Sequence, residues 1–201
     1  SPWKRKNSRQ KNSKSSRTAI FAVLYCAAAI SPMRKSALLK KSSRSTPLST
    51  LPPRLTLPPS SVAKRLLCSK SAAAWAEVNF LGCEVFAAGV GALAKRLAEQ
   101  SLTNVRIIRH DAVEVVRDMI PDSSLAGVHI YFPDPWRKAR HHKRRLVAQP
   151  FIGMLVNKIS LGGYIHCATD WENYAEQMVE VLSGEPKLKN LYDGFSPVMG
   201  N

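Results

Sequence analysis

Short apolar runs alternate along the chain with longer runs in which apolar residues recur at helical spacing. The first clear strand pattern covers residues 79–85, and residues 89–100 follow it with a helical pattern. Further strands are predicted at residues 105–108, 127–132 and 164–168, and further helices at residues 111–119, 149–159 and 171–182. This alternation predicts an α/β fold with a mostly parallel, doubly wound sheet.

The most informative stretch is residues 129–145, HIYFPDPWRKARHHKRR, which follows a strand pattern with a carboxylate and a basic cluster. Phe132 and Asp134 each precede a proline, which disfavours helical dihedrals. We therefore expect Asp134 on a stiff, extended turn. A carboxylate just past the carboxyl end of a strand lies where open α/β sheets bind ligands.

The basic cluster next to this turn predicts contact with a polyanion. A solvated surface is the ordinary explanation of such a run, but its position beside Asp134 favours RNA phosphates. Trp136 and Trp171 each follow an acid and are candidates for stacking on a flipped base, although core packing is the favoured interpretation for both. The cations of the cluster are Arg137, Lys138, Arg140, Lys143, Arg144 and Arg145.

Asp111 is predicted to be the N-cap of the helix that follows the strand at residues 105–108. Its side chain is short and polar, and Glu114 three residues later completes a pattern similar to a capping box.

The charge is distributed very unevenly. The whole chain has 30 Lys and Arg and 14 Asp and Glu, and residues 1–70 hold 16 of the basic residues and none of the acidic ones. We therefore divide the chain into a basic, Ser- and Pro-rich segment, residues 1–72, and a partial domain, residues 73–201. The segment is interpreted as a disordered RNA-binding arm, a transit peptide, a secretory signal or, as the leading hypothesis, a mis-framed stretch. Its apolar run at residues 18–30 is too short to span a bilayer.

The cysteines and histidines do not predict a metal site. Cys26, Cys68, Cys83 and Cys167 lack C-x-x-C spacing, and the last two lie in apolar strand patterns that suit buried thiols. His141 and His142 are adjacent, which suits a solvated basic face better than metal ligation. We expect no disulfide and no metal.

Four blocks of the sequence together closely resemble the tRNA (guanine-N7-)-methyltransferase family. They are residues 79–96 (NFLGCEVFAAGVGALAKR), 110–113 (HDAV), 132–147 (FPDPWRKARHHKRRLV) and 168–174 (ATDWENY). The resemblance covers residues 77–190 and implies the Rossmann-like fold of class I methyltransferases that use S-adenosylmethionine.

The resemblance also implies roles for particular residues. Glu84 is expected to accept hydrogen bonds from the cofactor ribose, and Asp111 with Ala112 to flank its adenine. Asp134 corresponds to the acid at the reaction centre, where it contacts cofactor and substrate. Lys138 and Asp170 correspond to substrate-contacting residues.

Two parts of the family pattern have no counterpart in this sequence. The Gly-rich cofactor loop of the first strand is replaced by residues 63–75, and the C-terminal T-K-F-E motif and closing strand are absent. The fold is therefore expected to be incomplete at both ends, and strands next to the missing first strand are expected to lose a pairing partner.

The function that the resemblance implies is transfer of a methyl group from S-adenosylmethionine to N7 of a guanosine in the variable loop of tRNA. The alternative is a catalytically inactive remnant that still binds tRNA. We expect a cytoplasmic protein with tRNA as its partner, no membrane contact and, as the favoured oligomeric state, a monomer.

Overall fold

The computed structural model describes residues 20–25, 35–41 and 72–195. Seven strands form one sheet in the order β4-β3-β1-β5-β6-β2-β7. The strands are β1 (Ile20–Tyr25), β2 (Lys35–Lys41), β3 (Asn79–Cys83), β4 (Val105–Ile108), β5 (Leu125–Tyr131), β6 (Ile159–Thr169) and β7 (Leu188–Asn190).

Helices follow the strands as the apolar spacing predicts. They are α1 (Ala87–Glu99), the short α2 (Ala112–Glu114) continued by a π-helical turn (Val115–Met119), a 3₁₀ helix (Ala139–Arg144), α3 (Phe151–Lys158) and α4 (Glu172–Ser183). Strands β1, β3, β4, β5 and β6 run parallel, while β2 pairs antiparallel with β6 and β7. The predicted Rossmann-like, doubly wound and mostly parallel sheet is confirmed.

Strand β1 corrects the expectation that strands beside the missing first strand lack a partner. Its backbone pairs in parallel with β3 on one side, from Ile20 opposite Asn79, and with β5 on the other. The position between β3 and β5 is therefore filled by a strand from the basic segment. Within the basic segment, the structure describes only residues 20–25 and 35–41 and residue 72. The division of the chain at residue 72 and the other interpretations of the segment therefore remain predictions.

Lys41, at the end of β2, supports the adjoining helix. Its ammonium group donates hydrogen bonds to the carbonyl oxygens of Val156, at 3.0 Å, and Ile159 at the end of α3. The Val156 carbonyl also accepts from the Ile159 amide, so the cation adds a second hydrogen bond there and interacts favourably with the carboxyl end of the helix. Burial lowers the pKa of this ammonium group from its usual value.

Two apolar clusters lie against the sheet. The larger includes Val128, Ile130 and Ile165 of the central strands, Leu155 of α3 and Met178 of α4. The smaller includes Phe80 of β3, Val105 of β4 and Tyr164 of β6 packed with Leu93 and Leu97 of α1. Alternate residues of the strands thus bury opposite faces, and helices cover both, as the doubly wound pattern requires.

Candidate functional site

Four acidic side chains follow the carboxyl ends of four parallel strands. Glu84 follows β3, Asp111 follows β4, Asp134 follows β5 and Asp170 follows β6. Because these strands are parallel, all four acids lie at the same edge of the sheet. Strand order reverses between β1 and β5, and ligands of open α/β sheets bind at such a switch point.

We call the first half of this edge the β3–β4 edge, defined by residues 84–89 and 110–114. Glu84 is only 8% exposed, and its Oε1 atom accepts a hydrogen bond from the Phe86 amide at 3.0 Å. The Glu84 amide donates to the Ile108 carbonyl at 3.1 Å, which ties the ends of β3 and β4 together. The Glu84 carboxylate is therefore held at the end of its strand by contacts close to it.

Gly89 belongs to this edge although the sequence analysis did not single it out. A Cβ atom at residue 89 would lie 3.0 Å from both Cγ and Oε2 of Glu84. Glycine weakens a helix, so a glycine in the first turn of α1 could have indicated that another side chain approaches the helix backbone closely there. Gly91, one residue further along, has nothing within 4 Å of such a Cβ atom.

Asp111 caps the helix at the end of β4, as predicted. Its Oδ1 atom accepts from the amides of Val113 at 2.7 Å and Glu114 at 3.3 Å. The predicted capping box is not formed, because the Glu114 carboxylate instead contacts the Nδ1 atom of His110 at 3.2 Å. Ala112 is buried immediately after the cap. The two residues expected to flank an adenine thus begin a helix at the ligand-binding edge.

Cys83, the last residue of β3, is buried close to this edge. Its burial, with a smaller contribution from the negative charge of Asp111, raises the pKa of its thiol to about 12. The thiol therefore stays protonated, as expected for a structural cysteine.

We call the second half of the site the β5–β6 edge, defined by residues 132–145 and 169–171. Phe132 and Trp136 have φ angles of 50° and 44°, so both lie in the left-handed region. The positive φ angles at these two residues were not predicted from the sequence. The Phe132 amide donates to the Ala168 carbonyl at 2.7 Å and the ring is buried, and these contacts offset a backbone strain of about 1–2 kcal/mol.

Asp134 is half-buried at the centre of this turn. Its Oδ1 atom accepts from the Trp136 amide at 3.0 Å, which fixes the carboxylate relative to its own backbone. On the neighbouring strand, Thr169 is buried, its Oγ1 atom accepts from the Trp171 amide at 3.2 Å, and Asp170 between them is half-buried. The two acids expected to meet the substrate are therefore placed on adjacent strands β5 and β6.

Four of the five cations predicted to bind phosphate are exposed, as is Lys138, and these residues follow Asp134 on the 3₁₀ helix and the loop before it. The sequence analysis did not predict this helix. The Arg137 guanidinium lies 4.9 Å from the ring centroid of Trp171, and that of Arg144 lies 5.0 Å from the centroid of Trp136. The exposed cations are Arg137, Lys138, Arg140, Lys143 and Arg144.

Both tryptophans are half-buried. Trp171 packs against the larger apolar cluster, as the favoured interpretation holds, and Trp136 meets the ring of His141 edge-on at 5.9 Å.

Arg145 differs from the other cations that were predicted to bind phosphate, because its side chain is buried. The residue is 4% exposed, and its guanidinium donates to the carbonyl oxygen of Pro135 at 2.8 Å. It also donates to the side chains of Gln177 and, at 3.0 Å, Asn173, both in α4. A guanidinium enclosed in this way cannot reach a phosphate of a bound nucleic acid.

The described residues contain no group of three or more His, Cys, Asp or Glu that would hold a metal ion. Of the cysteines within them, Cys83 and Cys167 are buried and free. Cys26 and Cys68 lie outside the described residues. No helix in the described part of the chain has the length and apolar character that a membrane span requires.

Comparison with known proteins places the chain in a sequence family. Residues 63–195 match the model of a family described as "Putative methyltransferase". The chain is 60% identical over 129 residues to a protein of Dechloromonas aromatica, an alignment that covers 64% of this chain and 52% of that protein. It is 64% identical over 119 residues to a protein of Bordetella pertussis, covering 59% of this chain and 47% of the other.

Both relatives are named tRNA (guanine-N(7)-)-methyltransferase, as is a Paraburkholderia xenovorans protein that is 62% identical over 119 residues, with 59% and 46% coverage. The chain spans about half the length of these relatives. A solved structure titled "Structure of a putative methyltransferase from Thermoplasma acidophilum" is 15% identical, with a TM-score of 0.48, over 84% of this chain and 50% of that one.

Proposed function

This chain belongs to the methyltransferase family whose model matches residues 63–195, and on that premise we propose that it is a tRNA (guanine-N7-)-methyltransferase. Its methyl donor would be S-adenosylmethionine, and its substrate N7 of a guanosine in the variable loop of tRNA. The observation that carries the proposal is the position of Asp134, at the switch point of the sheet and beside five exposed cations. We further propose that the protein acts as a cytoplasmic monomer.

The residues of the β3–β4 edge fit this cofactor. A carboxylate has two acceptor oxygens and suits a ribose diol, and Glu84 presents one at the end of β3. Gly89 leaves space next to Oε2 of that carboxylate, which any larger side chain would fill. Helix α2, which Asp111 caps, begins at the same edge, and its first residue, Ala112, is small and apolar. These features support Glu84, Asp111 and Ala112 as cofactor-binding residues.

The chemistry requires orientation more than proton transfer. When bound, the sulfonium cofactor would supply an electrophilic methyl group, and the guanine ring would gain a positive charge on accepting it at N7. N7 carries a lone pair and no proton, so no general base is needed. Asp134 would orient the base by accepting from its N1–H and exocyclic amine, and would also offset the charge that develops on the ring.

The exposed cations are proposed to hold the tRNA backbone. Arg137, Arg140, Lys143 and Arg144 would contact phosphates, which contributes affinity and salt dependence without sequence information. Lys138 and Asp170 would contact the substrate nearer the reacting base. Arg145 is left out of this group because of its burial.

Two measurements test the proposal. Calorimetric titration of the 201-residue chain with S-adenosylmethionine should give binding, and methylation of a tRNA transcript should yield N7-methylguanosine. Binding of tRNA without any cofactor binding would instead support the inactive remnant.

The residue assignment is tested by Asp134→Ala, which should abolish methylation while tRNA affinity is retained. Asp122→Asn is the matched control, because Asp122 is an exposed acid in the turn before β5, at the opposite edge of the sheet. Unchanged activity in Asp134→Ala would remove this residue from the site.

A further inference from the structure

We propose that Arg145 is a positioning residue that clamps the Asp134 turn to helix α4 and so fixes the distance between the two substrate-facing acids. The link to catalysis rests on the proposed function. The clamp itself is a statement about this chain and has a test of its own.

The geometry of the guanidinium carries the proposal. Nε donates to the Pro135 carbonyl at 2.8 Å, Nη1 donates to Gln177 Oε1, and Nη2 donates to Asn173 Oδ1 at 3.0 Å. The same group lies 4.7 Å from the ring centroid of Tyr174. One planar fork therefore joins the turn to three positions of α4, and a lysine, with one shorter point of attachment, does not reproduce this arrangement.

The chain that follows Arg145 is attached to the same helix. The Val147 amide donates to the Tyr174 hydroxyl oxygen at 2.9 Å, and Gln177 Nε2 donates to the Val147 carbonyl at 3.3 Å. Tyr174 and Val147 are fully buried. The segment is thus held to α4 by the backbone of Val147 as well as by the guanidinium.

Each end of the clamp adjoins one of the two acids. Pro135 is next to Asp134, whose carboxylate accepts from the Trp136 amide at 3.0 Å, so a shift of the Pro135 peptide would also move the carboxylate. Helix α4 begins at Glu172, two residues after Asp170. The guanidinium therefore couples the loop after β5 to the loop after β6.

The acceptors of Arg145 argue against a role in stability alone. All three are neutral, and burial lowers the pKa of the guanidinium from its usual value. Burying a cation without a carboxylate partner costs free energy that neutral hydrogen bonds offset only in part. An apolar residue of similar volume would avoid this cost, but it would not fix the Pro135 carbonyl.

The direct test is hydrogen exchange of the segment 132–137. Exchange should be faster in Arg145→Gln. It should be unchanged in the control Arg106→Gln, whose exposed guanidinium donates to the nearby carbonyls of Thr103 and Val105 at the start of β4. If Arg145→Gln does not fold, Asn173→Ala removes one acceptor at an exposed position and should give a smaller acceleration. Unchanged exchange in the folded variants would overturn the clamp.

The catalytic test separates positioning from phosphate binding. Arg145→Gln should lower kcat about 10- to 100-fold, because a displacement of about 1 Å in a reacting constellation has effects of this size. The tRNA Kd should change less than about twofold, since the guanidinium is enclosed. Arg144 is exposed, so Arg144→Gln should instead weaken tRNA binding and leave kcat nearly unchanged. It should also reduce the slope of log K against log salt concentration by about one.

A double-variant cycle identifies the residue through which Arg145 acts. In an Asp134→Asn background, Arg145→Gln should add little further loss of kcat, because the carboxylate that it positions is already gone. Additive losses, or a weakened tRNA Kd with normal kcat, would overturn the positioning role. If the wild-type chain methylates no tRNA at all, the proposed function fails, and the exchange experiment alone decides whether the clamp exists.

Discussion

The acidic side chains at the β3–β4 edge and at the β5–β6 edge accept hydrogen bonds over a similar, short range, but the turn that carries Asp134 is also attached to a distant helix. Glu84 accepts from an amide two residues away, and Asp111 from amides two and three residues away. Asp134 also accepts from an amide two residues away, and both edges have one long-range backbone bond, Glu84 to Ile108 and Phe132 to Ala168. The β5–β6 edge differs in the side-chain contacts of Arg145 with Asn173 and Gln177, which join residues 28 and 32 positions apart.

This difference has consequences for stability and for mutational behaviour. A locally held carboxylate keeps its conformation even when distant parts of the protein change, so substitutions there should have local effects. A turn held by another strand and helix depends on the whole fold, so substitutions in its supports should reach the rest of the molecule. Four predictions test this contrast, beginning with the largest expected effect.

The largest effect is expected from His129, which lies in β5 and hydrogen-bonds to Tyr164 of β6 at 2.8 Å. Burial, with a smaller contribution from His166, lowers the pKa of His129 to about 3. The unfolded chain binds a proton near pH 6.5 that the folded chain excludes, so stability falls as the pH drops below about 6.5. We expect His129 to account for a loss of about 2 kcal/mol between about pH 7 and pH 5.

The measurement is the free energy of unfolding in urea as a function of pH. His129→Gln should flatten this pH dependence. The groups that face the His129 ring are Tyr131, Tyr164 and His166, and burial also lowers the pKa of His166 to about 4. Both of these pKa values lie below pH 5, so His166 should contribute a similar loss, and His129→Gln should remove about half of the combined pH dependence. An equal slope in His129→Gln would contradict the assignment.

Tyr174→Phe should destabilise the β5–β6 edge. The hydroxyl oxygen accepts from the buried Val147 amide at 2.9 Å, and its removal leaves that donor without this partner. The expected loss is about 1.5 kcal/mol in the free energy of unfolding. Tyr192→Phe is the control, since Tyr192 is 37% exposed, and it should change stability by less than about 0.5 kcal/mol. Equal effects of the two variants would show that the hydrogen bond from Val147 to Tyr174 does not stabilise the protein.

Asp111→Ala should cost about 1 kcal/mol, because two amides at the start of α2 lose their cap, whereas Asp111→Asn should retain most of it. Hydrogen exchange should accelerate only within residues 111–119 in Asp111→Ala. Acceleration that spread to β5 or β6 would contradict the local character of the β3–β4 edge.

The smallest effect compares two glycines of α1. Gly89→Ala should raise helix propensity yet weaken S-adenosylmethionine binding about threefold, because the new Cβ displaces the Glu84 carboxylate by a few tenths of an ångström. Gly91→Ala should give the same gain in propensity with unchanged affinity, since its Cβ has no neighbour within 4 Å. Calorimetric titration of both variants measures the difference, and equal affinities would show that Gly89 does not protect the carboxylate position.

Local sequence signals located most of the elements that carry the site. The predicted strand at residues 105–108 and the helices at 89–100 and 171–182 agree with β4, α1 and α4 within two residues, because their apolar spacing is determined by burial of one face. The N-cap at Asp111 could also be predicted from the sequence, since capping depends on a side chain and amides at most three residues apart. Strand β1 was not predicted, because its place between β3 and β5 depends on pairing with distant residues.

The sequence by itself determined the alternation of strands and helices, the acids near the strand ends and the family to which the chain belongs. These properties follow from short-range patterns and from the order of motifs along the chain. Only the tertiary structure distinguished Arg145 from Arg144, because adjacent arginines have identical chemistry and differ only in which distant residues surround them. The turn at Phe132 was decided in the same way, since its left-handed backbone is supported by a carbonyl 36 residues further along the chain.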